Sequence, residues 1–193
     1  MTGGALGGRR LFAPVGRSVR PTTDRVREAL FARLGALDGA RVLDLFAGTG
    51  ALGIEALSRG AGEAVFVERA RSSLQALARN LQALELQDRT RILRSDASAA
   101  LAALGRRSER FDLVLLDPPY GPEEPSGALR ALVAAGVLAP AATVVAERAR
   151  RHPLGPVAGL VLVDERGYGD TVVSRLRPAS AADPGDQGGR SEG

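Results

Sequence analysis

Apolar residues along this chain fall into short solid runs, separated by longer stretches where they recur every three or four positions. Solid runs read as strands covered on both faces; the wider spacing reads as amphipathic helix. The runs at 41–46, 63–68, 90–95, 111–117 and 141–147 predict five strands. The third of these is the least apolar, which places it near a sheet edge. Helical spacing covers 21–34, with Val26, Leu30, Phe31 and Leu34 as its stripe and Thr22 or Thr23 as N-cap. It returns at 51–59 through Leu52 and Ala56, and at 71–84 through Leu74, Leu77, Ala78, Leu81 and Leu84. Residues 97–104 predict a fourth helix, and 127–138 a fifth with Leu129, Leu132, Val133 and Val137 inward. Runs at 160–163 and 171–176 predict a closing β-hairpin with Tyr168 in its loop. Strand alternating with helix, then a hairpin, gives an α/β fold: a doubly wound sheet of seven strands in one domain spanning 21–178. Residues 1–20 read as a basic hairpin or extended arm. Residues 179–193, without apolar periodicity, read as a disordered tail.

Composition narrows the class. A chain of 193 residues suits one such domain. No apolar run approaches the roughly 20 residues of a membrane span, the first residues lack a signal-peptide core, and cysteine is absent. The expectation is a cytosolic protein without disulfides or thiolate metal sites. The net charge is +4, the pI about 10.7, and all 26 basic residues are arginine. Guanidinium suits bidentate phosphate contacts and stacking on bases, so a polyanionic partner is expected. Arg9, Arg10, Arg17 and Arg20 form either a solvated face or an arm tracking the phosphates of RNA or DNA. Arg25 and Arg27, assigned to positions off the first helix's stripe, project to solvent or towards cofactor and substrate.

The candidate chemistry gathers at strand ends. Gly48-Thr49-Gly50-Ala51-Leu52-Gly53 matches the G-x-G-x-x-G turn that opens a nucleotide-binding βαβ unit. Asp44, at the end of the strand before it, would repel a pyrophosphate and favour a cationic ligand. S-adenosylmethionine, with its sulfonium and α-ammonium, fits that charge; the alternative is a carboxylate that caps local amides. Glu68 ends the second strand, where a carboxylate accepts from both ribose hydroxyls. Asp96 follows the third, to accept from an adenine amine, to N-cap the next helix, or to do both at once. With Asp117 after the fourth strand, four carboxylates meet on one rim.

Asp117-Pro118-Pro119-Tyr120 completes the pattern. Its two prolines hold the backbone extended and offer carbonyls without amide donors. Asp117 and the Pro118 carbonyl can each accept one hydrogen of an exocyclic amine, directing the nitrogen towards a methyl sulfonium. Tyr120 either stacks on the base or packs in a rigid turn. His152 reads as a surface residue, no nucleophilic triad can be assembled, and this chemistry needs no metal.

Residues 20–28 (RPTTDRVRE), 44–53 (DLFAGTGALG), 55–60 (EALSRG) and 117–120 (DPPY) resemble the bacterial ribosomal small-subunit methyltransferase D family across residues 3–177. Its members are 16S ribosomal RNA guanine-N2-methyltransferases with the class I, Rossmann-like fold. The resemblance implies an S-adenosylmethionine site lined by Asp44, Phe46, Ala47, Gly48, Thr49, Gly50, Glu68, Arg69, Asp96, Ala97 and Asp117. It implies that Asp117, Pro118, Pro119 and Tyr120 hold the target guanine, and that the basic residues Arg9, Arg10, Arg17, Arg20, Arg25 and Arg27 meet RNA. The implied substrate is 16S ribosomal RNA in a partly assembled small subunit, acted on by a cytoplasmic monomer. Competing readings are a DNA adenine or cytosine amino-methyltransferase, an NAD-dependent oxidoreductase and a non-catalytic RNA-binding factor. The DNA reading calls for a target-recognition region for which this chain has no room.

Overall fold

The computed structural model describes residues 1–13, 21–118 and 125–180, and of residues 21–23 the backbone only. Among them are α1 (Pro21–Leu34), α2 (Ala51–Ser58), α3 (Arg71–Ala83), α4 (Ala97–Arg106) and α5 (Pro125–Ala135). The strands are β1 (Arg41–Leu45), β2 (Glu63–Glu68), β3 (Thr90–Arg94), β4 (Phe111–Leu116), β5 (Leu138–Ala149), β6 (Leu160–Tyr168) and β7 (Thr171–Pro178). They form one seven-stranded sheet in the order β3-β2-β1-β4-β5-β7-β6, with β3 at one edge. β1 to β5 run parallel, and β7 lies antiparallel between β5 and β6. This is the class I methyltransferase fold that the sequence predicts.

Each face of the sheet has its own core. Val26, Leu30 and Phe31 of α1, Ile54 and Leu57 of α2, and Leu77 and Leu81 of α3 cover one face with Phe66, Leu115 and Val145. Leu101 and Leu104 of α4, with Leu129 and Leu132 of α5, cover the other. Chain connections run from β1 towards β3 on one side and from β4 onward on the other. The switch point therefore lies between β1 and β4, whose carboxyl ends frame the crevice where such sheets bind ligands.

Local expectations are corrected at several places. Of the predicted hairpin or arm, residues 14–20 lie outside the described residues. In residues 1–13, the described part, Gly4–Leu6 make a turn of 3₁₀-helix and no strand occurs. Their backbone finds partners on α2 and α3 instead of on a second strand. Gly4, at φ +71°, allows this approach, since a Cβ there would sit 1.9 Å from the Ser58 carbonyl oxygen. α1 begins at Pro21, so Thr22 and Thr23 fall inside its first turn and not at the N-cap. Left-handed Gly136 ends α5 early, and Leu138 joins β5 opposite Phe111. Tyr168 belongs to β6, paired with Thr171, and Gly169-Asp170 alone make the turn. Ala78 is exposed on α3, whereas Asn80 of the same helix is buried. The predicted tail beyond Ser180 lies outside the described residues.

Candidate active site

β1 delivers Asp44 to the rim on the face covered by α1, α2 and α3, beside Phe66 and Leu115 in register. Phe46 then takes a left-handed conformation (φ 64°), followed by left-handed Gly48 and Gly50. This kink ends the strand and starts α2 directly. Gly50 and Gly53 are both required by packing. A Cβ on Gly50 would lie 2.5 Å from Leu77 Cδ1, and one on Gly53 2.4 Å from Phe66 Cε1. The third glycine of the motif thus serves helix–strand contact, and its backbone N–H donates to Asp44 Oδ2 at 2.9 Å. The capping reading of Asp44 is realised in that bond.

Asp44 is 1 % exposed. Burial pushes its pKa up to about 7; the Gly53 amide opposes the shift, and the charges of Asp117 and Glu68 add to it. A cation placed here would be stabilised by a carboxylate that is now held only half ionised near neutrality.

Glu68 serves as a bracket. Its Oε2 accepts from Gly48 N at 2.8 Å, and its Oε1 from Arg69 N and Ala70 N, each at 2.7 Å. It ties the carboxyl end of β2 to the glycine turn. β3 continues alongside, Ser95 N donating to the Glu68 carbonyl at 3.2 Å. Asp96 N-caps α4 by accepting from Ala99 N at 2.9 Å, so the capping alternative holds for it too. Ala97 and Phe46 are partly buried against the core beneath α4 and α5, Ala47 is buried opposite, and Arg69 is exposed.

Asp117 is exposed just past β4, followed by buried Pro118. Pro119 and Tyr120 lie outside the described residues. Sequence reasoning missed a fifth carboxylate, Glu147. Leu116 pairs with Ala146, so one step further along the strands Asp117 stands beside Glu147. Burial pushes the Glu147 carboxyl up to about 8, and the Asp117 charge contributes. Its signal was available: it ends the fifth apolar run as Asp117 ends the fourth.

The basic residues divide. Arg9, Arg10 and Arg25 are exposed, and Arg17 and Arg20 lie outside the described residues. Arg27 is buried and does not belong to an RNA-facing set. Its Nη2 donates to Asp24 at 2.7 Å, and its Nε lies 3.5 Å from Glu55. Spacing could have shown this, because Arg27 precedes Phe31 by four and Leu34 by seven positions, within the stripe. Among the described residues, no cluster of three or more metal-ligating side chains occurs.

With that geometry in place, known proteins can be set beside it. The family model described as "Conserved hypothetical protein 95" matches residues 1–177. "Putative rRNA methyltransferase YlbH" of Bacillus subtilis is 41% identical over 173 residues, 89% of this chain and 94% of that protein. "Ribosomal RNA small subunit methyltransferase D" of Haemophilus influenzae is 32% identical over 163 residues, 84% of each chain. The solved structure "Putative methyltransferase yhhF from Escherichia coli" is 34% identical with a TM-score of 0.81, covering 93% of this chain and 97% of that one.

Proposed function

The chain belongs to the ribosomal small-subunit methyltransferase D family, and from that premise we propose that it methylates the exocyclic N2 amine of a guanine in 16S ribosomal RNA, with S-adenosylmethionine as donor. The observation that carries the proposal is electrostatic. Asp44, buried and close enough to Asp117 and Glu68 to feel both charges, sits at the switch point of the sheet. Such a cluster disfavours phosphate and favours a ligand whose charge is positive, which also separates this reading from a nicotinamide cofactor.

In this reading the glycine turn and Asp44 hold the methionine end of the donor, Glu68 its ribose and Asp96 its adenine. The sulfonium supplies an already activated methyl group. Asp117 and the Pro118 carbonyl accept the two hydrogens of the guanine amine and fix its lone pair in line with that methyl. With the methyl group supplied by the bound donor, Asp117 or water would take the proton that the amine gives up on becoming cationic. Tyr120 stacks on the base. Arg9, Arg10, Arg17, Arg20 and Arg25 meet phosphates, which suits a substrate presented by a partly assembled subunit to a monomeric, cytoplasmic enzyme.

Small subunits from a strain lacking the gene provide the test. The purified enzyme is expected to restore N2-methylguanine to their RNA, read by mass spectrometry. Asp117→Ala is expected to lower that transfer at least about 100-fold, the low end of general acid–base contributions. An N2-methylguanine inventory unchanged by deletion of the gene removes the substrate assignment; methylation of DNA instead selects the rival amino-methyltransferase.

A further inference from the structure

The amino-terminal segment and the glycine turn are held by one side chain. Asn80, on α3, is 1 % exposed. Its Oδ1 accepts from Phe12 N at 2.6 Å, and its Nδ2 donates to Phe12 O at 3.1 Å and to Thr49 O at 2.9 Å. Both amide hydrogens are used, and the pair of bonds to Phe12 imitates a step of strand pairing. The neighbouring Arg79 guanidinium lies 3.6 Å from the Phe12 ring centroid and covers the same anchor from outside. One helical turn earlier, Leu77 meets Gly50 so closely that no Cβ fits between them. α3 therefore grips the glycine turn at two levels and the basic segment at one, and Asn80 belongs to both grips. Arg9 and Arg10, exposed, precede the anchored residue by three and two positions.

We infer that Asn80 is a positioning residue that couples the RNA-contacting segment to the cofactor turn, so that RNA and the methyl donor each strengthen binding of the other. This rests on the reading of the turn as the donor site and of the segment as an RNA contact. The physical basis is a shared constraint. With Phe12 docked, the Asn80 amide is oriented and its remaining hydrogen is directed at Thr49 O. RNA that holds the segment in place removes conformations in which the amide has turned away, and the turn is ordered before the donor arrives. Linkage makes the effect reciprocal, with the same factor acting on RNA affinity when donor is present.

The affinity of the full chain for S-adenosylhomocysteine, which cannot turn over, is measured by equilibrium dialysis with and without small subunits from the deletion strain. In the wild type the subunits are expected to tighten it at least about fivefold, the lower end of ordinary coupling. In Asn80→Ala the ratio is expected to fall to one, with the thermal transition still cooperative. Phe12→Pro, which removes the N–H directed at Asn80 Oδ1 together with the ring that Arg79 covers, is expected to do the same while leaving the Asn80–Thr49 bond in place. A purely structural Asn80 would weaken both affinities and leave their ratio intact, and an equal ratio in wild type and Asn80→Ala overturns the inference. So does a ratio of one in the wild type. Failure of the wild type to bind S-adenosylhomocysteine at all is a separate result, and it sinks the donor assignment itself.

Discussion

Asp44 is stripped of water and held near the charges of Asp117 and Glu68, so it releases its proton only near pH 7. Its folded pKa lies above the unfolded value of 3.8, and the sign follows directly. The cost of ionising it in the fold is fully present above about pH 7 and disappears as pH falls towards 3.8. A cationic ligand reverses that cost. Binding of S-adenosylmethionine is therefore expected to release a fraction of a proton near pH 6.5 and to tighten from pH 6 to pH 8. Calorimetry in buffers of different ionisation enthalpy reads both, and proton uptake would contradict the assignment. Gly53 makes a second residue-level prediction. Alanine there drives a methyl into the fully buried Phe66 ring and crowds Asp44 Oδ2, 3.1 Å from the built Cβ. Overpacking of this kind costs about 1–3 kcal/mol, and donor affinity should fall with it; urea denaturation and dialysis measure the two.

At the scale of elements, α2 is bolted to the start of the chain by Glu55. This carboxylate is 0 % exposed and accepts from Thr2 N at 2.8 Å, Thr2 Oγ1 at 2.7 Å and Arg59 Nε at 2.8 Å. Burial alone would raise its pKa, but the bonds from Thr2 and Arg59 outweigh that and hold it below 4.5. Its contribution is present above the unfolded value and is lost as pH falls through the folded one. Glu55→Ala is expected to cost about 3–5 kcal/mol at pH 7, because Arg27 and Arg59 lose their shared partner. In urea titrations the gap from wild type should narrow below pH 4.5. None of this network was legible in the sequence, although the five helices and seven strands of the described residues largely were. Period and run length are local signals, whereas Thr2 meets Glu55 across 53 positions and Phe12 meets Asn80 across 68. The helix at 71–84 shows the limit. Its leucines marked the core face, but the buried asparagine beside them looked like surface, because a polar residue announces its partner only once the partner is in space. The rim carboxylates Asp44, Glu68, Asp96 and Asp117 were readable because strand ends are readable; Glu147 belonged to the same logic and was passed over.

For the whole molecule, an acidic rim is set into a protein whose net charge is +4. Under the proposed function, phosphates would be drawn to the exposed arginines and repelled from the crevice, which would steer a polyanion to the margin while its base enters. Replacing Arg9 and Arg10 together by alanine should weaken RNA binding across sequences alike. It should flatten the slope of log affinity against log salt by about 1.4–1.8, from roughly 0.7–0.9 for each phosphate no longer neutralised. Filter binding from low to moderate salt measures it, and an unchanged slope would leave those arginines as solvated surface. The Glu68 bracket has a consequence of another kind. Three amides of the turn region already converge on its two oxygens, so the loop is wired into shape while the chain folds. A nucleoside arriving there meets a mould already finished on its Gly48 side. The disorder left to be frozen out on capture is confined to the Thr49 side, which the Asn80 amide orders.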